Sequence, residues 1–147
     1  MNYIKLTTVY ALAILYISVG ITHFTNPDFF IPLVPPSLIY LKELVFISGI
    51  VEVMMGVMLF FKSSRKLGAT ITIILLLAVF PANIYLYLSD TPRNILDISK
   101  NQALFRLPFQ VPLIIIAYWH STEKTSKRFS FFCSVIFIPT IIYFISL

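Results

Sequence analysis

Five side chains that can ionise or form strong hydrogen bonds lie within stretches that are otherwise apolar. They are His23, Glu52, Asn83, Arg106 and Gln110. Ionisable residues inside a membrane span are costly and usually mark an ion, proton or ligand site, so the glutamate and the arginine are the strongest indication of function. Buried amides alone more often join helices, at about 0.6 kcal/mol each in measured cycles. We predict that the five residues form one polar site.

The composition indicates that this site lies in a membrane protein. The chain of 147 residues is 59% hydrophobic and 12% charged, whereas soluble proteins average about 45–50% apolar and about 25% charged residues. The net charge of +5 does not indicate nucleic-acid binding, because the basic residues stand in short clusters between apolar runs. Such clusters set the orientation of membrane helices. We therefore expect the lipid bilayer, and no nucleic acid, as a partner.

Five apolar stretches are about long enough to cross a hydrocarbon layer of ~30 Å. We predict an all-α, polytopic transmembrane helix bundle that forms a single domain over residues 1–147. The predicted spans are 3–24, 40–61, 67–88, 104–119 and 129–147. Basic connections at residues 62–66 and 120–128 predict a cytoplasmic N-terminus and an external C-terminus, in a multi-pass protein of the cell (inner) membrane.

The two remaining connections differ in character. Residues 25–39 contain four prolines but are too apolar for an ordinary solvated linker, so we expect them to lie at the interface or to fold over the helix ends. Residues 89–103 are polar with balanced charge, which is typical of an external loop.

Glu52 is the carboxylate that most needs an explanation, since it falls about 12 residues into the second span, near the bilayer midplane. Gly49 and Gly56 lie at i−3 and i+4 from it, so a neighbouring backbone can approach the same helix face. We therefore predict that Glu52 points into the bundle. Glu43 lies nine residues earlier, on the opposite face and in the first turn, where an anion is tolerated.

Helical rise predicts the depth of the other four residues. With span ends placed level, His23, Asn83, Arg106 and Gln110 all fall in the external half, and Glu52 lies roughly 9 Å deeper. A direct Arg106–Glu52 ion pair and a graded polar track from the surface to the midplane are both compatible with this arrangement. Pro81, just before Asn83, leaves a carbonyl near Leu77 without its helical partner.

Redox and metal chemistry have little support from residue types. The single Cys133 excludes an intramolecular disulfide and a CxxC pair, and its apolar neighbours favour a buried, inert thiol. One histidine at the predicted site, without a close carboxylate pair, argues against a metal centre.

Four motifs resemble those of the DoxX family, including its DoxX-like and MauE-like members. They are Gly20-Ile21-Thr22-His23-Phe24, Ile47-Ser48-Gly49-Ile50-Val51-Glu52, Phe80-Pro81-Ala82-Asn83-Ile84 and Arg106-Leu107-Pro108-Phe109-Gln110. The resemblance covers about residues 20–119 and implies a four-helix core, here with a fifth C-terminal span. It also implies an accessory role in a membrane redox system, with quinone as the possible cofactor.

Three functions are compatible with these features. The first is an accessory subunit that helps a membrane redox partner protein to use quinone. The second is a small-molecule or lipid binder, or an enzyme of the sterol-isomerase-like type, and the third is a membrane-protein assembly factor without catalysis. Whether the protein is an enzyme stays open at this point.

Overall fold

Residues 3–145 are described by the computed structural model, and they form seven α-helices, one short 3-10 turn and no strand. The helices are α1 (Tyr3–Thr25), α2 (Pro27–Phe30), α3 (Leu41–Phe60), α4 (Arg65–Leu88), α5 (Asp90–Leu96), α6 (Lys100–Ser121) and α7 (Lys127–Ile145), and the 3-10 turn is Ile31–Leu33. The predicted all-α class is confirmed.

Five of these helices, α1, α3, α4, α6 and α7, are long and apolar enough to cross a membrane. Their apolar side chains are largely exposed on the outside of the bundle, as expected where hydrocarbon replaces water. The protein is therefore a multi-pass helical bundle suited to a lipid bilayer. Residues 1–2, and residues 146–147 of the predicted fifth span, lie outside the described part of the chain.

The predicted fourth span begins too late. α6 starts at Lys100, four residues before the predicted boundary at 104. Ser99 explains the difference, because its Oγ accepts from the Gln102 backbone N–H at 3.2 Å while Gln102 Oε1 accepts from the Ser99 N–H at 2.8 Å. This reciprocal capping box starts a helix within residues that are polar enough to read as a loop.

The predicted external loop at 89–103 is also largely helical, since it contains α5. Arg93 anchors this short helix: it is buried and donates to the Leu86 carbonyl at 3.0 Å, to the Tyr87 carbonyl and to Asp90. These carbonyls belong to the last turn of α4, where no intrahelical N–H is available to them. Arg93 is thus a C-terminal cap as well as a loop charge.

Arg65 caps the C-terminus of α3. Its guanidinium donates to the Leu59 carbonyl at 2.9 Å and to the Phe60 carbonyl at 3.1 Å. It is buried in the first turn of α4, although the sequence places it in a basic connection. A cation at a helix C-terminus also offsets the negative end of the macrodipole.

The five long helices close into a ring. Helix α1 packs on α3, α3 on α4, α4 on α6, α6 on α7, and α7 returns to α1. The apolar core lies between them, and its buried members are Val9, Leu12, Ala13, Tyr16, Met55, Leu59, Ala69, Leu76, Leu113, Ile116 and Phe137.

Helices α1 and α3 pack closely against each other at glycines. A Cβ on Gly20 would lie 2.9 Å from the Gly49 carbonyl oxygen, and a Cβ on Gly56 would lie 2.9 Å from the Ala13 carbonyl oxygen. The two backbones can approach this closely only because no side chain stands between them. As predicted, this is also the face of α3 that carries Glu52, which is buried.

The proline-rich connection folds over the helix ends, one of the two arrangements predicted for it. α2 contacts α1 and α3, and the 3-10 turn contacts α3, α4 and α5. Phe30, at the end of α2, is half-buried by this packing. One end of the bundle is thus covered by a short apolar cap, and the basic connections lie at the other end.

Candidate functional site

A histidine and a glutamate meet where α1 crosses α3. His23 Nδ1 lies 3.3 Å from Glu52 Oε2, and the two residues are 6% and 8% exposed. Gly49 makes the approach possible, because a Cβ there would lie 2.7 Å from the His23 Cβ. The sequence placed both residues in one site but at different depths; the structure puts them in contact.

Hydrogen bonds define the state of the His23 ring. Nδ1 lies 2.9 Å from the Val19 carbonyl oxygen, which can only accept, so Nδ1 carries a hydrogen. Because that hydrogen is directed at Val19, Glu52 Oε2 lacks a proper hydrogen bond despite its short distance from the same nitrogen. His23 Nδ1 therefore lies within ion-pair distance of the Glu52 carboxylate but does not donate a hydrogen bond to it.

Ser48 lets the ring change its protonation state in place. Its Oγ lies 3.1 Å from His23 Nε2. A hydroxyl can donate to a neutral Nε2 or accept from a protonated one by rotating about its C–O bond. One proton can therefore reside on the Glu52 carboxyl, leaving two neutral groups, or on His23, leaving an ion pair, with no movement of the helices.

Tyr16 adds a further polar group to the same place. Its hydroxyl is buried without a hydrogen-bond partner and interacts electrostatically with Glu52. Tyr16, Gly20 and His23 share one face of α1, so the phenol and the imidazole lie on either side of the glycine that faces α3. Tyr16 and Ser48 were not predicted as site residues, although their helical spacing from His23 and Glu52 was readable.

Phe30 covers the pair. Its ring stacks on His23 with centroids 3.6 Å apart and an interplanar angle of 20°. Any route from the capped end of the bundle to His23 therefore passes the proline-rich connection and its phenylalanine.

The depth predicted for Glu52 relative to His23 is wrong, and the structure gives the reason. Glu52 lies ~16 Å from the start of α3 and His23 only ~3 Å from the end of α1 by helical rise, yet the two side chains meet. The contacts of Gly20 with Gly49 and Val53 place the end of α1 about 8 Å from the start of α3, so α3 extends about one and a half turns beyond α1 at this end, and the two side chains span the remaining difference in height. The proline-rich connection lies across the C-terminal end of α1.

Asn83 and Gln110 form a second, separate pair between α4 and α6. Asn83 Nδ2 donates to Gln110 Oε1 at 2.9 Å, and Gln110 Nε2 donates to the Leu76 carbonyl. The carbonyl freed by Pro81 was expected near Leu77; the acceptor used lies one residue earlier. This arrangement is typical of interhelical hydrogen bonding.

Arg106 joins neither pair. In the described part of the chain no ion pair connects it to Glu52; its Nε is buried without a hydrogen bond, and the guanidinium interacts electrostatically with Tyr143 of α7. Because α6 begins at Lys100, Arg106 lies ~9 Å along the helix rather than the ~3 Å expected. The five predicted residues thus form a His–Glu pair, an amide pair and a separate arginine.

Two shallow surface grooves lie elsewhere on the bundle, and neither is lined by His23 or Glu52. The more apolar one, of about 400 Å³, is lined by Ile73, Ile114, Ile115, Tyr118, Phe129 and Phe132. The other lies beside Lys42, Glu43, Phe46 and Ile47. Within residues 3–145, no group of three or more His, Cys, Asp or Glu side chains is placed to hold a metal ion.

Comparison with known proteins corrects the resemblance to DoxX. The family that matches is a different one, described as a domain of unknown function (DUF8561), over residues 12–121. The structure explains why the motifs misled: Gly20 and Gly49 serve close helix packing, and Asn83 and Gln110 bond to each other. Any tight helical bundle can require these residue types.

No curated protein and no solved structure matches the chain. The family match runs from the middle of α1 to the last residue of α6 and leaves α7 outside. It covers well over half of the 147 residues. The chain therefore belongs to the family described as a domain of unknown function, DUF8561.

Proposed function

We propose that this protein, in the cell (inner) membrane, binds and releases a proton at the His23–Glu52 pair in support of a quinone-linked redox system. The observation that carries the proposal is the 3.3 Å contact between His23 Nδ1 and Glu52 Oε2 inside the bundle. Ionisable residues buried between membrane-spanning helices usually belong to ion, proton or ligand sites. Helix packing alone would be served by apolar side chains at lower cost.

The surroundings of the pair support proton exchange more than ligand binding. Ser48 can stabilise His23 in both protonation states, and the Tyr16 hydroxyl is a spare donor near the carboxylate. Neither of the two grooves described above is lined by His23 or Glu52, and Phe30 covers the histidine ring. A proton needs only a chain of hydrogen-bonding groups or a water molecule, whereas a small-molecule ligand needs a cavity.

The redox link rests on chemistry alone. Reducing a quinone consumes protons within the membrane, so a buried group that accepts and donates protons suits a quinone-using partner. We assign the supply of electrons to the partner, because no group of three or more His, Cys, Asp or Glu side chains among residues 3–145 is placed to hold a metal ion and the chain has one cysteine.

The proton-binding part is tested by infrared difference spectroscopy on the full chain in lipid nanodiscs. Changing the pH should produce a carbonyl stretching band of a protonated carboxyl that Glu52→Gln removes and His23→Gln shifts. The matched control is Glu43→Gln, which changes an exposed carboxylate on the same helix. A folded Glu52→Gln protein that keeps the full band would refute the proposal.

The redox part is tested separately. A quinone and its reduced form, added in turn to the same nanodiscs, should change the Glu52 band in the presence of native membrane partners isolated in mild detergent. If no partner co-isolates and neither form alters the band, the redox assignment is wrong while the proton site stands. A Glu52→Gln variant that only loses stability would instead favour a purely structural or assembly role.

A further inference from the structure

A shallow groove runs along the outside of the bundle where α6 lies between α4 and α7. Its volume is about 400 Å³. Each side chain that lines it is aliphatic or aromatic, and the lining consists of Ile73, Ile114, Ile115, Tyr118, Phe129 and Phe132. We call it the α6 groove. None of these residues belongs to the His23–Glu52 pair or to the Asn83–Gln110 pair.

The α6 groove begins near the end of the bundle that carries the basic connections. By helical rise, Tyr118 lies ~5 Å from the end of α6 and Phe129 lies ~3 Å from the start of α7. Ile73 lies ~12 Å from the start of α4. The groove therefore extends from the depth of the membrane interface into the adjacent hydrocarbon.

Two exposed cations lie on the groove faces of the flanking helices. Lys66 precedes Ile73 by seven residues, which is two turns of α4, and Arg128 precedes Phe132 by four residues, which is one turn of α7. Within residues 3–145, neither cation takes part in an ion pair. Both side chains therefore lie beside the basic end of the groove with their charges open to an anion.

The other charged residues of the two basic connections keep this end positive. Arg65 caps α3, and Glu123 is the single carboxylate in residues 62–66 and 120–128. The remaining cations are exposed, and they are Lys62, Lys124 and Lys127. A clustered positive charge at the surface of a bilayer attracts anionic lipids.

We propose that the α6 groove holds an acyl chain of one anionic phospholipid, with the headgroup at the end that Lys66 and Arg128 flank. A shallow apolar groove suits a flexible chain that lies along it. The lining gives little preference among phospholipids, because their tails are as apolar as the side chains. The preference comes from the headgroup, since each lysine or arginine near the surface favours an anionic lipid about fivefold.

Trp119 provides the probe for the test. It is the one tryptophan of the chain, it follows Tyr118, and its Nε1 donates at 3.2 Å to Ser130, the neighbour of Phe129. The full-length protein is placed in nanodiscs of phosphatidylcholine and phosphatidylglycerol, and one lipid at a time carries bromine on its acyl chains, which quenches the tryptophan. Quenching should show a preference of about tenfold or more for phosphatidylglycerol. Equal quenching by the two lipids, or quenching by neither because a second chain covers the groove, would overturn the proposal.

The headgroup contacts are tested with paired charge variants. Lys66→Gln combined with Arg128→Gln should reduce the preference for phosphatidylglycerol about tenfold or more. The matched control is Lys62→Gln combined with Lys127→Gln, which removes the same charge from the same end. Lys62 precedes α4, and Lys127 lies on the opposite side of α7 from Phe132, so the control should keep most of the preference. Equal losses in the two double variants would indicate a general attraction to the surface and would overturn the site.

The acyl-chain contact is tested by filling the groove. In mild detergent, native mass spectrometry of the full-length protein should show one retained phosphatidylglycerol per chain. Ile73→Phe should lose most of this lipid, because the larger side chain occupies the groove. Ile74→Phe is the control, since Ile74 is the next residue of α4, is 60% exposed and is not part of the lining. Equal retention by the two folded variants would exclude the groove as the position of the acyl chain.

Discussion

Replacing Gly20 with alanine should push α1 away from α3 and destabilise the protein. The added Cβ would lie 2.9 Å from both the Gly49 carbonyl oxygen and the Val53 backbone nitrogen, and neither atom can rotate away. Overpacking costs about 1–3 kcal/mol, and alanine recovers up to ~1 kcal/mol of helix propensity over glycine. Subtracting the propensity gain from the overpacking cost leaves a net loss of stability of about 1–2 kcal/mol. We expect a large overpacking cost because both contacts are with backbone atoms.

A second substitution makes this prediction sharper. A Cβ on Gly49 would lie 3.0 Å from the Gly20 carbonyl oxygen, so Gly49→Ala requires the same separation of the two helices. Once one alanine has moved them apart, the other costs less. The double variant should therefore lose less than the sum of the single variants, with a coupling of about 0.5–1 kcal/mol.

The measurement is reversible unfolding in mixed micelles with increasing SDS, monitored by circular dichroism. Ile14→Ala on α1 is the control, because this side chain is 57% exposed on the outside of the bundle. Its stability should change by no more than about 0.5 kcal/mol. A Gly20→Ala protein as stable as wild type, or single variants that add without coupling, would contradict the close α1–α3 contact.

Two further predictions use the same assay. Arg93→Gln should cost about 1–3 kcal/mol, because the last carbonyls of α4 lose a charged donor; Lys124→Gln is the exposed control, and equal stability of the two variants would mean that these carbonyls are satisfied in another way. Gln110→Leu should cost about 1 kcal/mol by leaving the Asn83 amide without its acceptor, and adding Asn83→Leu should recover part of the loss. A double variant less stable than Gln110→Leu alone would refute the Asn83–Gln110 pair.

Local properties of the chain were sufficient to predict its class. The five long helices follow from apolar runs that match the thickness of the hydrocarbon layer, and the inward direction of Glu52 follows from Gly49 and Gly56 on the same face. The start of α6 was readable in principle, since Ser99 and Gln102 have capping-box spacing. Family membership could not be predicted from the sequence, because short motifs of packing residues indicated the wrong family.

The sequence by itself determined which residues are costly in a membrane, because that depends on residue type and position along one helix. Only the tertiary structure decided which of them meet. Helical rise predicts height within a helix but not the offset between helices, and that offset is set by the fit of Gly20 against Gly49. This offset brings His23 to Glu52, while Arg106 lies apart and Arg93 and Arg65 turn back to cap the helices before them.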